Sequence, residues 1–434
     1  DENSAERIDN TDGDAFKEAT YYFGGEDDGA MTTGWLLVDV TYDEATNDYE
    51  IAPAFNEDED QSRWFYFKSN GKKIYAEDGD RTKDKTINGK KYAFDQYGAM
   101  VAEWSLDEGD EKIASKSEER AKASVDVATT SEAWNGAGNY AKYTQAWRYF
   151  NSVEDGSRVS KGWFKVVAAE MLNKDKYDDD EDAWYYADGS GKLYAGEFKT
   201  IKGKKYAFRT DGRMVSGLKF ISDDGNGNFV VKADDNDEAA FGPFDTEDDF
   251  LANAPVYEAQ GYKCYYFGDG DDGAMRTNKT SITIDGDKFN FYFQKSGGNK
   301  GAGITGEKDD KYYQSGMLMT AGSDEKYQII TPIMNGTQLV GYDKYADVAD
   351  LVDGNIFRQE TSYTDASLRT LGINKDADEI AELYVPVAAA SAQDHILINT
   401  SGKVIDNKGK SKDGNDYYYV VNGSKKVVAI YLEN

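Results

Sequence analysis

Short runs of consecutive aromatic residues recur along the chain, and a polar turn follows each run. A typical unit has two or three aromatics, then two to six residues rich in Asp, Asn, Ser and Gly, then a short apolar step. Consecutive aromatic and β-branched residues favour strands, and Asp-Gly or Asn-Gly supplies the positive φ of a tight hairpin turn. The pattern therefore predicts a series of β-hairpins.

These hairpin units are internal repeats of one another. Residues 21–31 (YYFGGEDDGAM) return at 265–275 (YYFGDGDDGAM) with nine of eleven positions identical, and the octet INGKKYAF returns as IKGKKYAF. A third unit, WFYFKSNGKKIYA, begins at Trp64 and has its counterpart WYYADGSGKLYA at Trp184. Each unit has roughly 20 residues, which is too few to bury its own apolar face, so the hairpins are expected to stack on one another.

Three hairpins make a larger module, with a super-period of about 120 residues. Long acidic segments interrupt the modules, for example at 41–62 and 173–182. We therefore predict a mostly β protein, in which stacked aromatic β-hairpins form β-solenoid modules with acidic loop insertions.

The segment 321–393 differs from the repeats. Its stretches DKYADVADLVDG, TDASLRTLGI and DADEIAELY space apolar residues at helical intervals, which predicts a small α or α+β insertion. Short helices are also compatible with the linkers. The predicted segments are a first repeat module at 1–104, a linker or insertion at 105–145, a second module at 146–231, a linker at 232–262, a third module at 263–320, the inserted non-repeat region at 321–393 and C-terminal repeat hairpins at 394–434.

Composition places aromatic residues at the centre of this fold. The chain of 434 residues has 32 Tyr, 20 Phe and 7 Trp but only 15 Leu, so a Leu-rich core is excluded. Its 81 acids against 50 bases give a formal charge of −31, which argues against nucleic acid, because phosphates are bound by Lys and Arg. No apolar run reaches the length of a membrane span, and DENSAERIDN has no apolar signal region, so a soluble or already processed chain is expected.

The repeat units resemble a known family. YYFGGEDDGAMTTGW, INGKKYAFDQYGAMV and AWYYADGSGKLYAGEFKTIKGKKYAFRTDGRMVSG are similar to the cell-wall-binding repeats of Gram-positive surface proteins, a superfamily that includes choline-binding repeats and the glucan-binding repeats of glucansucrases. The resemblance covers about half of the residues, from Tyr21 to about Met319 and again near the C-terminus. It implies a β-solenoid and an extracellular, cell-surface or cell-wall location.

The resemblance also implies where a ligand would bind. In choline-type members the ligand lies between adjacent hairpins, in a cage made by the Trp of a Gly-Trp step and the aromatics of the next WYY strand. Carried onto this sequence, the implied ligand-binding residues are Trp35 with Trp64 and Tyr66, and Trp163 with Trp184 and Tyr186. The third module departs from this pattern, because RTNKT replaces the Gly-Trp step and Cys264 stands where Trp is common.

The ligand chemistry follows from the rings and the charge. An aromatic cage holds a quaternary ammonium through the ring faces, and a flat ring stacks on a sugar, although most repeat aromatics are expected to be hairpin core. The negative charge attracts a choline head group, repels the phosphates of a teichoic acid and is indifferent to a neutral polysaccharide. The predicted partner is a polysaccharide or a choline-decorated cell-wall polymer.

Metal binding and catalysis find less support. One His and one Cys exclude a zinc site built from those ligands, and both His395 and Cys264 are interpreted as structural. No cofactor is predicted, apart from calcium as a candidate. Four acidic clusters offer oxygen ligands for calcium, at 9–14, 178–182, 222–228 and 268–273. None has EF-hand spacing, and the cluster at 268–273 is interpreted first as a turn.

The sequence therefore predicts a noncatalytic extracellular surface protein that binds cell-wall polymer or glycan through aromatic sites between stacked hairpins. The alternative is a structural or adhesive surface protein that uses the solenoid as a spacer, with 321–393 contacting a partner. A hydrolase with its active site in that segment is a third hypothesis, because a glycosidase pair of carboxylates is defined in space and not in sequence. The ligand and the oligomeric state stay open.

Overall fold

The chain folds as two compact units. The computed structural model describes residues 20–24, 28–40, 61–77, 80, 82–106, 139–170, 172–231, 240–387, 394–406 and 409–434. Unit 1 comprises Asp1–Val215 and Asp223–Ala240, and unit 2 comprises Ser216–Ser222 and Phe241–Asn434.

Unit 1 is a series of two-stranded antiparallel hairpins. Its strands are β1 (Gly34–Val40), β2 (Gln61–Phe67), β3 (Lys83–Ile87), β4 (Lys90–Phe94), β5 (Glu103–Leu106), β6 (Trp147–Phe150), β7 (Gly162–Val166), β8 (Ala183–Ala187), β9 (Glu197–Ile201) and β10 (Lys204–Phe208). They pair in chain order, β1 with β2 through β9 with β10. Two short helices are α1 (Asn139–Gln145) and α2 (Lys174–Asp178). The predicted architecture of small antiparallel hairpins with aromatic clusters is confirmed.

Several aromatic strands of unit 1 end in the same tight turn. A β-bridge joins the last strand residue to the residue six positions later, as in Phe94 with Met100, Ala187 with Leu193 and Phe208 with Met214. In the middle example, Asp188 Oδ1 accepts the backbone N–H of Ser190 (2.7 Å) and of Lys192 (2.9 Å). A side chain that accepts in this way substitutes for a backbone acceptor in the turn. The Asp and Asn residues after the aromatic runs therefore do specify hairpins.

Consecutive hairpins of unit 1 are joined through their backbones. Met100 N donates to Trp64 O, and Met214 N donates to Trp184 O, each at 2.7 Å. Each bond links the aromatic strand of one hairpin to the turn of the following hairpin. The aromatic faces of successive hairpins are consequently held against each other.

Unit 2 contains larger antiparallel sheets. Its strands are β11 (Leu218–Ile221), β12 (Ala240–Phe241, at the unit boundary), β13 (Lys263–Tyr266), β14 (Asn278–Ile284), β15 (Asp287–Phe293), β16 (Gly306–Lys308), β17 (Lys311–Gln314), β18 (Met317–Leu318), β19 (Tyr327–Asn335), β20 (Gln338–Tyr345), β21 (Phe357–Gln359), β22 (Ile380–Pro386), β23 (Ile396–Asn399), β24 (Gly409–Lys412), β25 (Tyr417–Val421) and β26 (Val427–Glu433). The helices are α3 (Glu247–Ala259), α4 (Val348–Asp353) and α5 (Asp365–Thr370). Strand orders are β14-β15-β18-β17-β16, β20-β19-β23 and β21-β22-β26-β25-β24, while β11 pairs with β13.

The segment 321–393 contains both strands and short helices, as an α+β element does. Its strands share sheets with the C-terminal residues, because β19 pairs with β23 and β22 pairs with β26. These long-range pairings enclose common cores; Ile329, Leu397 and Ile430, for example, are buried in one cluster. The segment and the C-terminal strands therefore fold as one part of unit 2 and not as a free-standing insertion.

One of the three predicted helical stretches in this segment is wrong. The first two form α4 and α5, whereas DADEIAELY forms a 3-10 turn at Ala377–Glu379 and then strand β22. Ile380 and Leu383 both lie in a buried cluster, a spacing of three that is typical of a helix. A register shift between Ile380 and Glu382 explains the spacing, because a β-bulge adds one residue to the strand.

A methionine packs tightly on a turn glycine in unit 2. A Cβ atom at Gly301, where φ is +88°, would lie 2.3 Å from Met275 Sδ. We expect Gly301→Ala to lower the free energy of unfolding by about 1 to 3 kcal/mol, because displacement of the flexible Met275 side chain adds to left-handed backbone strain. Gly286→Ala is the matched control, since φ there is +83° but nothing lies within 4 Å of the added atom. Equal losses for the two variants in urea denaturation would contradict this packing role of Met275.

Candidate functional site

Two aromatic clusters in unit 1 bring together the six residues predicted to bind ligand. The Trp35 cluster consists of Trp35, Trp64, Tyr66, Tyr92 and Phe94. The Trp163 cluster consists of Trp163, Trp184, Tyr186, Tyr206 and Phe208. In each cluster, two strands of one hairpin supply the first three residues and the next hairpin supplies the last two.

Strand pairing explains how the Trp35 cluster forms. Trp35 lies opposite Tyr66, and Leu37 lies opposite Trp64, in the antiparallel register of β1 and β2. Residues two apart on a strand share a face, so these four side chains project from one side of the hairpin. Residues 41–60, which separate the two strands in sequence, lie outside the described residues. The Gly-Trp step and the WYY-type strand are therefore direct neighbours across the acidic segment.

Trp35 is the centre of its cluster. Its ring centroid lies 5.1 Å from that of Tyr66 and 6.4 Å from that of Trp64, with interplanar angles of 73° and 90°. The next hairpin contributes Tyr92 at 5.0 Å and Phe94 at 5.8 Å. Edge-to-face pairs at such distances add about 0.5 to 1.5 kcal/mol beyond area burial. Trp35, Trp64 and Tyr66 nevertheless stay half-buried, so part of each ring faces solvent.

The Trp163 cluster repeats this geometry closely. The ring centroid of Trp163 lies 6.3 Å from Trp184 at 89° and 5.1 Å from Tyr186 at 79°. Tyr206 at 4.9 Å and Phe208 at 5.7 Å come from the next hairpin. Trp163 and Trp184 are half-buried, whereas Tyr186 is buried. The two clusters are thus copies of one structural unit.

A third aromatic set, centred on Trp104, has the same geometry and was missed by the sequence reasoning. The ring centroid of Trp104 lies 6.4 Å from Trp147, 5.1 Å from Tyr149 and 5.0 Å from Tyr185. Glu103 precedes Trp104 where a Gly is expected, and it adopts a positive φ of +56°. The available signal was therefore the aromatic spacing and not the Gly-Trp step.

Helix α1 covers the Trp104 set. Tyr143 on this helix packs on Trp147 with centroids 6.0 Å apart at 89°, and Leu172 joins the same buried cluster. Trp147 is consequently only 1% exposed. The indole N–H of Trp104 donates to the Val167 carbonyl at 2.8 Å. Trp147 is therefore core, whereas Trp104 stays half-buried.

The equivalent hairpin of unit 2 has no tryptophan on its face. Leu218 lies opposite Tyr266, and Phe220 lies opposite Cys264, in the same register as the aromatic pairs of unit 1. Helix α3 packs on this face through Phe250, and all five side chains belong to one buried cluster. Within the part of the chain that the structure describes, half-buried tryptophan pairs on such hairpin faces are those of the Trp35 and Trp163 clusters.

The lone Cys and His occupy structural positions. Cys264 is 1% exposed inside β13, as predicted, and burial raises the pKa of its thiol well above the ordinary value. His395 is 2% exposed; its Nδ1 lies 3.1 Å from Thr331 Oγ1, and its ring packs 5.2 Å from that of Phe357. Both environments fit the interpretation of these residues as parts of the core.

The acidic clusters at 222–228 and 268–273 form turns, whereas the cluster at 178–182 begins at the last residue of helix α2. Asp224 Oδ1 accepts the backbone N–H of Asn226 (2.7 Å) and of Asn228 (3.1 Å), and Asp269 accepts the Tyr266 hydroxyl at 2.7 Å. The cluster at 9–14 lies outside the described residues. No group of three or more His, Cys, Asp or Glu that could hold a metal ion occurs among the residues that the structure describes. No helix in the same residues is long and apolar enough to cross a membrane.

Two buried charged residues adjoin the Trp35 cluster. Asp95, which follows Phe94, and Lys73 are 4% and 5% exposed. Burial raises the pKa of Asp95 to about 7 and lowers the pKa of Lys73 to about 8. Asp95 Oδ1 accepts the backbone N–H of Ala99 at 2.8 Å and so closes the turn after β4.

We expect the protein to lose stability between about pH 4 and pH 7 relative to the variant Asp95→Asn. Asp95 loses its proton near pH 4 when the chain is unfolded but only near pH 7 when it is folded, so the folded state binds more protons in this window and rising pH favours unfolding. The difference is on the order of a few kcal/mol. Urea denaturation at about pH 4, 5.5 and 7 measures it, and asparagine keeps the acceptor for Ala99. If the free energy of unfolding depends on pH in the same way for the two proteins, the raised pKa of Asp95 is contradicted.

Known proteins share sequence with part of the chain. No protein-family model matches it. Over 150 residues, or 33% of the chain, it is 31% identical to Glucosyltransferase-S of Streptococcus mutans serotype c. The match spans 9% of that relative's length.

Solved structures give weaker likenesses. Choline binding protein F of Streptococcus pneumoniae is 18% identical, with a TM-score of 0.24, and the match covers 69% of this chain and 89% of that chain. The modular autolysin LytC of Streptococcus pneumoniae, in complex with a synthetic peptidoglycan ligand, is 17% identical with a TM-score of 0.28, covering 71% and 43%. Alternansucrase in complex with isomaltononaose is 15% identical with a TM-score of 0.18, covering 73% and 19%. Part of this chain is thus similar in sequence to a stretch of a streptococcal glucosyltransferase, and its likeness to streptococcal choline-binding proteins is a low-scoring structural one.

Proposed function

We propose that this chain is a noncatalytic binding region, extracellular at the cell surface or in the cell wall, that attaches to cell-wall polymer or glycan through the Trp35 and Trp163 clusters. The observation that carries the proposal is the contrast between four equivalent hairpin faces. Trp147 is buried under a helix and the Leu218 face is covered by another, whereas Trp64 and Trp184, at the place of Trp147, stay half-buried. Aromatic side chains that stay partly accessible at repeated positions suit an interaction site.

Two classes of ligand suit these clusters. A quaternary ammonium within about 6 Å of a ring centroid gains about 0.5 to 2 kcal/mol per ring, depending on desolvation. A sugar places its apolar C–H face on a flat indole and turns its hydroxyl groups to polar neighbours. The formal charge of −31 attracts the first class and leaves a neutral glycan unaffected, but it opposes polyanions.

The sequence relative supports the glycan side of the proposal. Glucosyltransferase-S is named for glucosyl transfer, and this chain shares 31% identity with a stretch that makes up 9% of it. We assign carbohydrate or choline attachment to the chain, and not glucosyl transfer.

If the hairpins stack, the Trp35 and Trp163 clusters can bind one polymer chain at the same time. We infer that the hairpins of unit 1 continue as a β-solenoid, supported by the bonds from Met100 to Trp64 and from Met214 to Trp184. Sites that recur along such a stack match the repeats of a polymer. Binding at one site raises the effective concentration of polymer at the other, so weak sites reach useful avidity.

The direct test is binding by the whole chain to two ligands. Retention on choline-substituted resin, elution by free choline and quenching of tryptophan fluorescence would report the ammonium class. Co-sedimentation with insoluble α-glucan, and fluorescence titration with isomalto-oligosaccharides, would report the glycan class. We expect saturable binding in at least one series. If neither ligand changes the fluorescence, the retention or the melting temperature, the binding function is wrong.

A further inference from the structure

The two tryptophan clusters differ at one position of their hairpin faces. In the register of β7 and β8, Lys165 lies opposite Trp184, and in the register of β1 and β2, Leu37 lies opposite Trp64. Both residues stand two positions after the central tryptophan and therefore share its face. The same place in the repeat carries a positive charge in one cluster and an exposed apolar side chain in the other.

Lys165 is directed at the ring that a ligand would use. Its Nζ lies 5.9 Å from the centroid of Trp184, within the range of a cation–π contact. A second ammonium group lies near the Trp163 cluster, because Lys199 Nζ is 5.0 Å from the Tyr194 centroid and pairs with Glu197 at 2.7 Å. Tyr194 in turn stacks on Tyr186 with centroids 5.3 Å apart at 6°.

The Trp35 cluster has neither arrangement at the equivalent positions. Leu37 replaces Lys165, and Ile74, at the position of Tyr194, packs in the cluster as an apolar side chain. Lys85 is the counterpart of Lys199, since each lies opposite the tyrosine of its hairpin, so that lysine is common to both copies. Lys73 and Asp95 beside the Trp35 cluster are buried, so the charge difference at exposed positions of the two hairpin faces rests on Lys165.

An ammonium already over a ring changes which ligand that ring accepts. A second cation must displace it and is also repelled by it, which weakens binding of a choline-type head group. A neutral sugar meets no such repulsion. The lysine can instead donate hydrogen bonds to sugar hydroxyl groups at the rim of the aromatic face.

We propose that the two clusters divide the ligand classes: the Trp35 cluster binds quaternary ammonium groups, the Trp163 cluster binds uncharged glycan, and Lys165 determines this difference. The inference rests on the proposed binding function and assigns a ligand class to each of its sites. A polymer that carries both sugars and choline-type substituents would then engage both clusters at once.

The test isolates one cluster at a time in the full chain. With Trp35→Ala as background, we expect Lys165→Leu to tighten choline binding at the remaining cluster about two- to fivefold and to weaken isomaltotriose binding, the size following from loss of one exposed cation–π contact. With Trp163→Ala as background, Leu37→Lys should weaken choline binding by a similar factor. Titrations followed by tryptophan fluorescence report both.

The outcomes separate this inference from the function on which it rests. If the unmodified chain binds neither choline nor isomaltotriose, the binding function itself is wrong. If it binds them but Lys165→Leu and Leu37→Lys leave the ratio of choline to isomaltotriose affinity unchanged, the division by Lys165 is overturned. Lys165→Arg serves as the conservative variant, because it keeps the charge and should keep the ratio.

Discussion

The double variant Trp35→Ala/Trp163→Ala is expected to lose at least about a hundredfold in apparent affinity for choline resin and insoluble α-glucan. Each tryptophan is the central ring of its cluster, with four other rings within 6.4 Å of its centroid. Truncating a central aromatic anchor costs about 2 to 4 kcal/mol at one site, or roughly 30- to 1,000-fold. Each single variant should remove one site, and with it the avidity of the pair.

Controls must separate this loss from unfolding, because both tryptophans also pack between hairpins. Trp35→Phe and Trp163→Phe keep an aromatic ring, and they should retain more binding than the alanine variants. Tyr177→Ala removes an aromatic side chain that is 48% exposed in the same unit but lies outside both clusters, so it should leave retention unchanged. Far-UV circular dichroism establishes that each variant is folded. A folded double-alanine variant with full retention would show that these clusters do not bind the ligand.

The variant Trp147→Ala is expected to lower the free energy of unfolding of unit 1 by about 3 to 5 kcal/mol without changing ligand affinity in the folded protein. Its side chain is 1% exposed and lies between Trp104 and Tyr143, so truncation leaves a large cavity under helix α1. No ligand reaches a ring that the helix covers. Urea denaturation followed by tyrosine and tryptophan fluorescence measures the loss, and titration in native buffer measures the affinity.

Trp184→Ala is the matched comparison, because Trp184 and Trp147 occupy equivalent places on their hairpins. Trp184 is half-buried, so its truncation should cost less stability but should weaken ligand binding at the Trp163 cluster. The two variants are thus expected to show opposite patterns of effect. Loss of ligand binding by folded Trp147→Ala, or strong destabilisation by Trp184→Ala alone, would contradict the division into covered and open faces.

The tryptophan trios were predictable because they sit at fixed places in a repeated hairpin. If these residues form a hairpin, the alternation of side chains along each strand puts Trp35, Trp64 and Tyr66 on one face. The structure has all three on that face. The Trp104 set was not predicted because no glycine precedes Trp104. Glu103 stands there instead and adopts the positive φ that the glycine of a Gly-Trp step would have. The Trp35 cluster, the Trp163 cluster and the Trp104 set therefore share a backbone geometry more than they share residue types.

Sequence could not say which faces are open. That depends on helices α1 and α3, which come from segments unlike the repeats and which pack on their hairpins through residues such as Tyr143 and Phe250. The same holds for β22, whose apolar spacing matches a helix until a bulge and its pairing with β26 are known. The contacts of α3 and β22 join residues distant in sequence and override the local pattern, whereas α1 packs on the strand that directly follows it.

The covering helices have a consequence for how the number of ligands bound by such a chain can change. Duplicating a hairpin copies a stacking surface and a binding surface together. A short helix in the segment that joins the two paired strands of a hairpin separates these two surfaces, because it covers the binding surface while the stacking surface and the strand register stay as they were. Valency in this architecture is therefore controlled by the segments that join the paired strands of a hairpin, and a few residues gained or lost there would add or remove a site without altering the strands themselves.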